Sequence, residues 1–177
     1  MIFIDLEKAY DSVQREAIWK CLETNNVAST YVRAIKDTYE RARTCVRTPV
    51  GDTEYFSVDV GLHQGSALSP FLFAIIIDAI TKNIQDEVPW TMLFADDIVI
   101  VGETKAEVNR KLELWRQTLE TNGLKLSRSK TEYMACNFAQ SADDDREEVR
   151  IGTQPITQKN SFKYLGSVVR DDGDTVL

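Results

Sequence analysis

Two adjacent carboxylates inside an apolar run are the residues of this chain best suited to chemistry. Asp96 and Asp97 interrupt Met92-Leu93-Phe94-Ala95-Asp96-Asp97-Ile98-Val99-Ile100-Val101, a stretch otherwise composed for a core strand. A buried carboxylate is costly unless it is paired, hydrogen-bonded or metal-bound. Two in succession between β-formers therefore predict the tip of a hairpin that holds two oxygen ligands. Asp is also a common turn residue that bonds its own backbone, which is the plain alternative. Turn chemistry does not explain a third acid in a similar setting, Asp5 in Ile2-Phe3-Ile4-Asp5-Leu6. If Asp5 and Asp96 lie on neighbouring central strands, their carboxylates converge at one end of a sheet with Asp97 nearby. At about 4 Å and an effective dielectric near 20, each like-charged pair repels by about 4 kcal/mol. The sum is comparable to the roughly 5–15 kcal/mol that stabilises a whole domain. Divalent cations would turn this repulsion into binding. All-oxygen ligation by few protein groups suits Mg2+, which keeps waters and takes substrate phosphates, and two such ions clamp both sides of a phosphoryl displacement.

The elements that must position these acids follow from periodicity. Asp11-Ser12 ends the first strand with capping residues, and Ile18, Trp19 and Leu22 predict a helix that stops at Asn25-Asn26. A second helix from Ser29 buries Val32, Ile35 and Tyr39. Thr44 to Val60 reads as strands with Val50-Gly51-Asp52-Thr53 as the hairpin turn, and Gly61 and Gly65 bracket a loop. Ser69-Pro70 predicts a helix start, and the helix from Phe71 to about Gln85 is apolar nearly all round, as for a buried helix. After the aspartate hairpin, Thr104 and Glu107 form a capping box for a helix with Val108, Leu112, Trp115 and Leu119 on one face, ended by Gly123. Thr131 to Phe138 reads as a strand, Ser141 to Glu148 as an acidic loop, Ser161 to Val169 as another strand, and 171–177 as a frayed tail. The class is α+β, a largely antiparallel sheet with helices packed on one face.

At 177 residues the chain fits one domain, expected over 1–170. Its 43% hydrophobic and 28% charged residues are ordinary globular values. No apolar stretch reaches the roughly 18 residues of a membrane span, so no membrane partner is expected, and Asp5, Glu7 and Lys8 break any signal-peptide pattern. Cys21, Cys45 and Cys136 lack the spacing of a zinc site and suit a reducing, intracellular compartment. The formal net charge of −7 alone argues against a nucleic-acid partner.

Five segments nevertheless carry a family resemblance. Phe3-Ile4-Asp5-Leu6-Glu7-Lys8-Ala9-Tyr10-Asp11, Leu62-His63-Gln64-Gly65-Ser66-Ala67-Leu68-Ser69-Pro70, Phe94-Ala95-Asp96-Asp97, Gly123-Leu124-Lys125-Leu126-Ser127-Arg128-Ser129-Lys130-Thr131 and Tyr164-Leu165-Gly166 stand in the order of the reverse transcriptase palm motifs. The pattern resembles LINE-type (non-LTR) retrotransposon enzymes, particularly those common in plant genomes. The resemblance implies a polymerase palm fold in which Asp5 and Asp96 are the principal metal ligands, with Asp97 in support and the Leu6 backbone carbonyl as a further ligand. The metal is two Mg2+ ions, with Mn2+ as a substitute. Tyr10 corresponds to the aromatic gate that clashes with a ribose 2′-hydroxyl, or is an ordinary sheet aromatic. Gln64 and Gly65 match the loop that contacts the incoming nucleotide and template, or form a plain strand-to-helix turn. Lys130 corresponds to a general acid toward the leaving pyrophosphate, against the alternative of a solvated lysine. Tyr164, Leu165 and Gly166 resemble the hairpin that grips the primer end, or an edge turn. His63, the only histidine, is assigned no catalytic role.

The resemblance implies RNA template, DNA primer and deoxynucleoside triphosphates as partners, and a nuclear location only through the family. Met1 lies four residues before Asp5 and the chain stops at Leu177, so fingers and thumb are expected to be largely missing, either supplied by flanking sequence or lacking altogether. Two functions follow: the catalytic palm of an RNA-directed DNA polymerase, or an inactive remnant of a truncated retrotransposon.

Overall fold

The structure, a computed structural model, describes residues 1–136 and 148–176. The end of the expected strand at Phe138, the acidic loop from Ser141 through residue 147, and Leu177 lie outside the described residues. In chain order, β1 (Ile2–Ile4) precedes three helices, α1 (Ala9–Ser12), α2 (Arg15–Thr24) and α3 (Ser29–Tyr39). Four two-residue strands follow, β2 (Arg43–Thr44), β3 (Arg47–Thr48), β4 (Gly51–Asp52) and β5 (Phe56–Ser57), then α4 (Ser69–Thr81). Next come β6 (Thr91–Phe94), β7 (Asp97–Ile100), α5 (Lys105–Thr121) and β8 (Glu132–Tyr133). The remaining strands are β9 (Arg150–Ile151), β10 (Gln154–Pro155), β11 (Ser161–Tyr164), β12 (Ser167–Arg170) and β13 (Thr175–Val176). The chain divides into two compact units, Met1–Glu7 with Thr81–Leu177, and Lys8–Ile80.

In the first unit the central sheet has the order β6-β7-β1-β8 with every pair antiparallel. Alternation along β1 and β7 sorts the side chains. Phe3 and Val99 are cross-strand partners and turn to one face, where with Met134 they form a buried cluster. Phe162, Tyr164 and Val169 of the β11–β12 hairpin pack against that cluster, and Phe162 stacks on Phe3 with ring centroids 3.6 Å apart. Ile2, Ile4, Ile98 and Ile100 alternate to the opposite face and are fully buried, and α5 packs against β7. The α5 helix is the element most completely specified by sequence. Thr104 Oγ1 accepts a hydrogen bond from the Glu107 amide at 3.1 Å, Glu107 Oε2 accepts one from the Glu103 amide at 2.9 Å, and Val108, Leu112, Trp115 and Leu119 are buried. The reciprocal bond falls on Glu103 rather than on the cap residue itself.

In the second unit, α2 and α3 match their predicted spans and bury Ile18, Leu22, Val32 and Tyr39, with Ile35 half-buried. Four expectations are corrected here. Asp11 and Ser12 do not cap α2; they belong to the short helix α1, and Gln14 stands at the N-cap of α2 without a side-chain bond. The hairpin turn is Pro49-Val50, with Gly51 and Asp52 already paired to Thr48 and Arg47; Pro49 takes the turn position its fixed φ suits. The Ser69 hydroxyl donates to the His63 carbonyl at 2.6 Å, which ties the helix start to the preceding loop. α4 ends at Thr81 and is buried on one side only, since Phe71 is 58% exposed.

Two more corrections concern the C-terminal third. The expected strand from Ser161 to Val169 is a hairpin broken by Leu165-Gly166, both at positive φ (49° and 91°), as a tight turn between right-twisted strands requires. The tail expected to fray instead carries β13, which pairs Val176 with Val168 and Thr175 with Val169. The three cysteines are free, and no helix among the described residues is long and apolar enough to cross a membrane.

Candidate active site

β6 and β7 form the predicted hairpin, closed by Ala95-Asp96 with Phe94 opposite Asp97. Ala95 takes φ 53°, a left-handed conformation that costs a non-glycine residue about 1 kcal/mol. The strain sits at the tip that displays both acids, where functional sites often store it. β1 pairs with β7 through Ile2↔Ile100, Phe3↔Val99 and Ile4↔Ile98. One step further in that register sets Asp5 against Asp97. Both then share the face of Phe3 and Val99, the face covered by the β11–β12 hairpin.

Three electrostatic observations agree with this placement. Partial withdrawal from water lifts the Asp97 carboxyl above the ordinary range, and the charges of Asp96 and then Asp5 push it the same way. Desolvation and then the Asp97 charge raise the Tyr164 hydroxyl, so the predicted primer hairpin lies within the field of the aspartates. Asp5 Oδ1 is buried without a hydrogen bond. Its nearest cation is Lys130 Nζ at 3.6 Å, an ion pair too long for a hydrogen bond, from a lysine side chain that is 71% exposed.

Local backbone bonds explain why Lys130 reaches this place. Glu7 N–H donates to Lys125 O at 2.8 Å and Ser127 N–H to Asp5 O at 2.7 Å, bracketing a bridge between Leu6 and Leu126. Ser127 O then accepts from the Lys130 and Thr131 amides in a turn. The bridge uses the backbone of Asp5 and Glu7, while the groups of Leu6 point to the other side, as alternation in an antiparallel pair demands. The structure thus brings Asp5, Asp96, Asp97, Lys130 and Tyr164 together within one unit, with Leu165 and Gly166 at the turn beside Tyr164.

Tyr10, Gln64 and Gly65 gather in the other unit. They line a cavity of about 470 Å3 together with Ser66, Ser69 and Pro70. The Tyr10 ring stacks on buried Phe73 at 4.7 Å, and the Leu62 amide donates to Tyr10 O at 2.8 Å. Gln64 Nε2 donates to Asp11 Oδ1 at 2.8 Å, a partner that sequence reading missed because it lies 53 residues away. Gly61 is required by contact as well as by φ 86°: a Cβ there would meet the Asp11 backbone at 2.9 Å. Gly65, at φ 81°, has open space around it and serves the turn itself. His63 stacks on Tyr39 at 4.2 Å and its amide donates to the Tyr39 hydroxyl at 3.4 Å.

Among the described residues no three His, Cys, Asp or Glu side chains converge as a ready-made metal cage. The donor set still fits a hard cation that keeps most of its coordination for water and phosphate. It offers oxygen only, it is self-repelling, and one of its buried oxygens lacks a hydrogen bond.

Comparison with known proteins points the same way. A family profile described as "Reverse transcriptase (RNA-dependent DNA polymerase)" matches residues 1–169. The chain is 26% identical over 187 residues to the retrovirus-related Pol polyprotein of the type-1 retrotransposable element R2 of Nasonia vitripennis, covering 96% of this chain and 18% of that protein. It is 28% identical over 135 residues to the Pol polyprotein of the type-2 element R2DM of Drosophila melanogaster, covering 72% and 13%. The chain thus spans under a fifth of these two relatives, and neither supports a plant affinity. In fold it is similar to apo telomerase from Candida tropicalis, with TM-score 0.67 at 12% identity over 99% of this chain and 32% of that one. It is also similar to a foamy viral protease-reverse transcriptase solved with an RNA/DNA hybrid, with TM-score 0.50 at 18% identity over 96% and 16%.

Proposed function

The chain belongs to the reverse transcriptase family, on its LINE-type (non-LTR) retrotransposon branch, and from that premise we propose that residues 1–170 act as the palm of an RNA-directed DNA polymerase. The observation that carries the reading is the β1–β7 ladder, which ends at Ile4↔Ile98 and leads Asp5 toward Asp97 at the strained β6–β7 tip, together with a buried Asp5 oxygen lacking any hydrogen bond. Enzymes of this family use divalent metal ions. Asp5, Asp96, Asp97 and the Leu6 carbonyl would hold Mg2+, and bound cations would neutralise charge on the triphosphate and on the attacking 3′-oxygen.

The remaining roles belong to the chain's own side chains. Lys130, long and exposed, lies near Asp5 in the absence of substrate; with a triphosphate present it exchanges that 3.6 Å contact for the leaving pyrophosphate and gives it a proton. Tyr10, held flat on Phe73, blocks a 2′-hydroxyl. Gln64, oriented by Asp11, and Gly65 take the nucleotide and template strand. Tyr164, Leu165 and Gly166 hold the primer end. The partners are an RNA template, a DNA primer and deoxynucleoside triphosphates.

The test is Mg2+-dependent extension of a DNA primer on an RNA template by the full chain. Extension abolished by Asp96→Asn supports the reading, and extension that survives Asp96→Asn contradicts it. Tyr10→Ala should admit ribonucleotides; unchanged rejection would remove the gate role from Tyr10.

A further inference from the structure

Arg15 is the first residue of α2 and is half-buried, yet among the described residues no carboxylate pairs with it. Its guanidinium reaches two backbone carbonyls instead: Nε donates to Gly61 O at 3.2 Å and Nη1 to Tyr39 O at 3.4 Å. It also lies 5.0 Å from the centre of the Tyr39 ring. The third nitrogen, Nη2, is buried without an acceptor. Withdrawing a charge from water with no opposite charge beside it is costly, and an arginine kept for packing alone would bury its stem and leave its head in water. The two carbonyls are what this residue is placed to hold.

Both carbonyls border the loop that carries Gln64 and Gly65. At the root of that loop the Gly61 amide donates to Val13 O and the Leu62 amide to Tyr10 O, each at 2.8 Å, so the amides are fixed from the α1 side and the Gly61 carbonyl is left for Arg15. The root has no slack, because a Cβ at Gly61 would meet the Asp11 backbone at 2.9 Å. Tyr39 holds the middle of the same loop: its hydroxyl accepts from the His63 amide at 3.4 Å and its ring stacks on His63. The next residue is Gln64, whose side chain donates to Asp11 at 2.8 Å. A planar guanidinium fork can hold two carbonyls at once, which the single ammonium of a lysine on its flexible stem does not reproduce.

We propose that Arg15 is a positioning residue for nucleotide binding. By holding the Gly61 and Tyr39 carbonyls together it fixes the loop from its root to His63, and so keeps Gln64 on Asp11, presented to the nucleotide. The proposal rests on the polymerase reading for the identity of the ligand, and the two fail separately.

The experiment compares the full-length parent with Arg15→Met, which keeps an apolar stem, and with Arg15→Lys, using circular dichroism to confirm folding. Amide hydrogen exchange is followed in peptides covering residues 60–66, with the interiors of α2 and α3 as internal references, and primer extension gives KM for the deoxynucleotide and kcat. Arg15→Met should speed exchange in the loop about tenfold or more and leave the helix interiors unchanged. It should raise KM about fivefold or more with kcat within about twofold of the parent. Arg15→Lys should fall between the two, and it carries the test alone if Arg15→Met does not fold. In a Gln64→Ala background Arg15→Met should raise KM no further, because it acts through Gln64. Unchanged loop exchange overturns the proposal, as does faster exchange spread equally over α2 and α3. An additive rise in KM with Gln64→Ala, or Arg15→Lys indistinguishable from the parent, also overturns it. Asp96→Asn measured alongside separates the claims. Unchanged loop exchange and KM in Arg15→Met, with extension still abolished by Asp96→Asn, defeats only the Arg15 proposal. Extension absent in the parent or unaffected by Asp96→Asn, with loop exchange still raised in Arg15→Met, defeats the polymerase reading and leaves Arg15 as the clamp of the loop.

Discussion

Two groups of carboxylates lie in the same compact unit and are treated in opposite ways. Along α5, acids are matched almost atom for atom. Lys111 Nζ lies 2.8 Å from both Asp86 and Glu107 and donates to Val101 O at 2.9 Å, and Arg116 bridges Glu113 and Glu120. Their acidities respond accordingly. The Lys111 hydrogen bond holds Glu107 below the ordinary range, and the Arg116 hydrogen bond pulls Glu113 down to about 2. At the β6–β7 tip the shift has the other sign: Asp97 is pushed up, and Asp5 keeps an oxygen without a hydrogen bond. A fold able to satisfy carboxylates along α5 leaves them unsatisfied at the tip. The difference sets α5 apart as architecture and supports the proposal that the tip is kept for a cation.

Substitutions should separate the two regions, and the largest effect belongs to the tip. Asp5→Asn or Asp96→Asn should lower primer extension by about 100-fold or more, while the urea midpoint stays level or rises because like-charge repulsion is relieved. A variant that loses activity only in step with stability would erase the contrast. Lys111→Met should behave in the opposite way, costing about 2 kcal/mol of stability in urea titration, since it leaves Asp86 and Glu107 facing each other without their cation. Adding Asp86→Asn should recover part of that loss; no recovery would mean the three groups do not act as a network.

Smaller effects sharpen the α5 side. Thr104→Ala removes the bond to the Glu107 amide and should cost about 1 kcal/mol, read from the same titration. Glu113 has a folded pKa of about 2 against an ordinary value of 4.5. Its contribution is therefore fully present above about pH 4.5 and is lost as pH falls toward about 2. Because its side chain is 40% exposed, solvent screening keeps that contribution below about 1 kcal/mol. Glu113→Gln should flatten the stability profile over that window and nowhere else.

What could be read from the residues alone depended on how local each signal was. The α5 span, its cap and its buried face follow from a periodic pattern complete within 20 residues, and the aspartate hairpin from an apolar run with one interruption. Turn chemistry was misread where two signals competed: Gly51 suggested the turn, but Pro49 holds it and Gly51 pairs with Thr48. Periodicity read β11 and β12 as one strand because Leu165 carries no turn cue of its own, whereas the motif resemblance set a hairpin at Tyr164-Leu165-Gly166, where the turn lies. Strand register is non-local, and so the motif order grouped Asp5 with Asp96 and Asp97 without showing that the β1–β7 ladder leads Asp5 toward Asp97. The Gln64 to Asp11 bond needed the folded chain for the same reason.

The most direct test of the claim that the tip is kept for a cation is Mn2+ binding, followed by electron paramagnetic resonance, to the parent chain, to Asp5→Asn and Asp96→Asn, and to Glu113→Gln as the matched control from α5. The account predicts saturable binding by the parent and by Glu113→Gln, lost in both aspartate variants while their fold persists. Equal Mn2+ binding by all four proteins would contradict it.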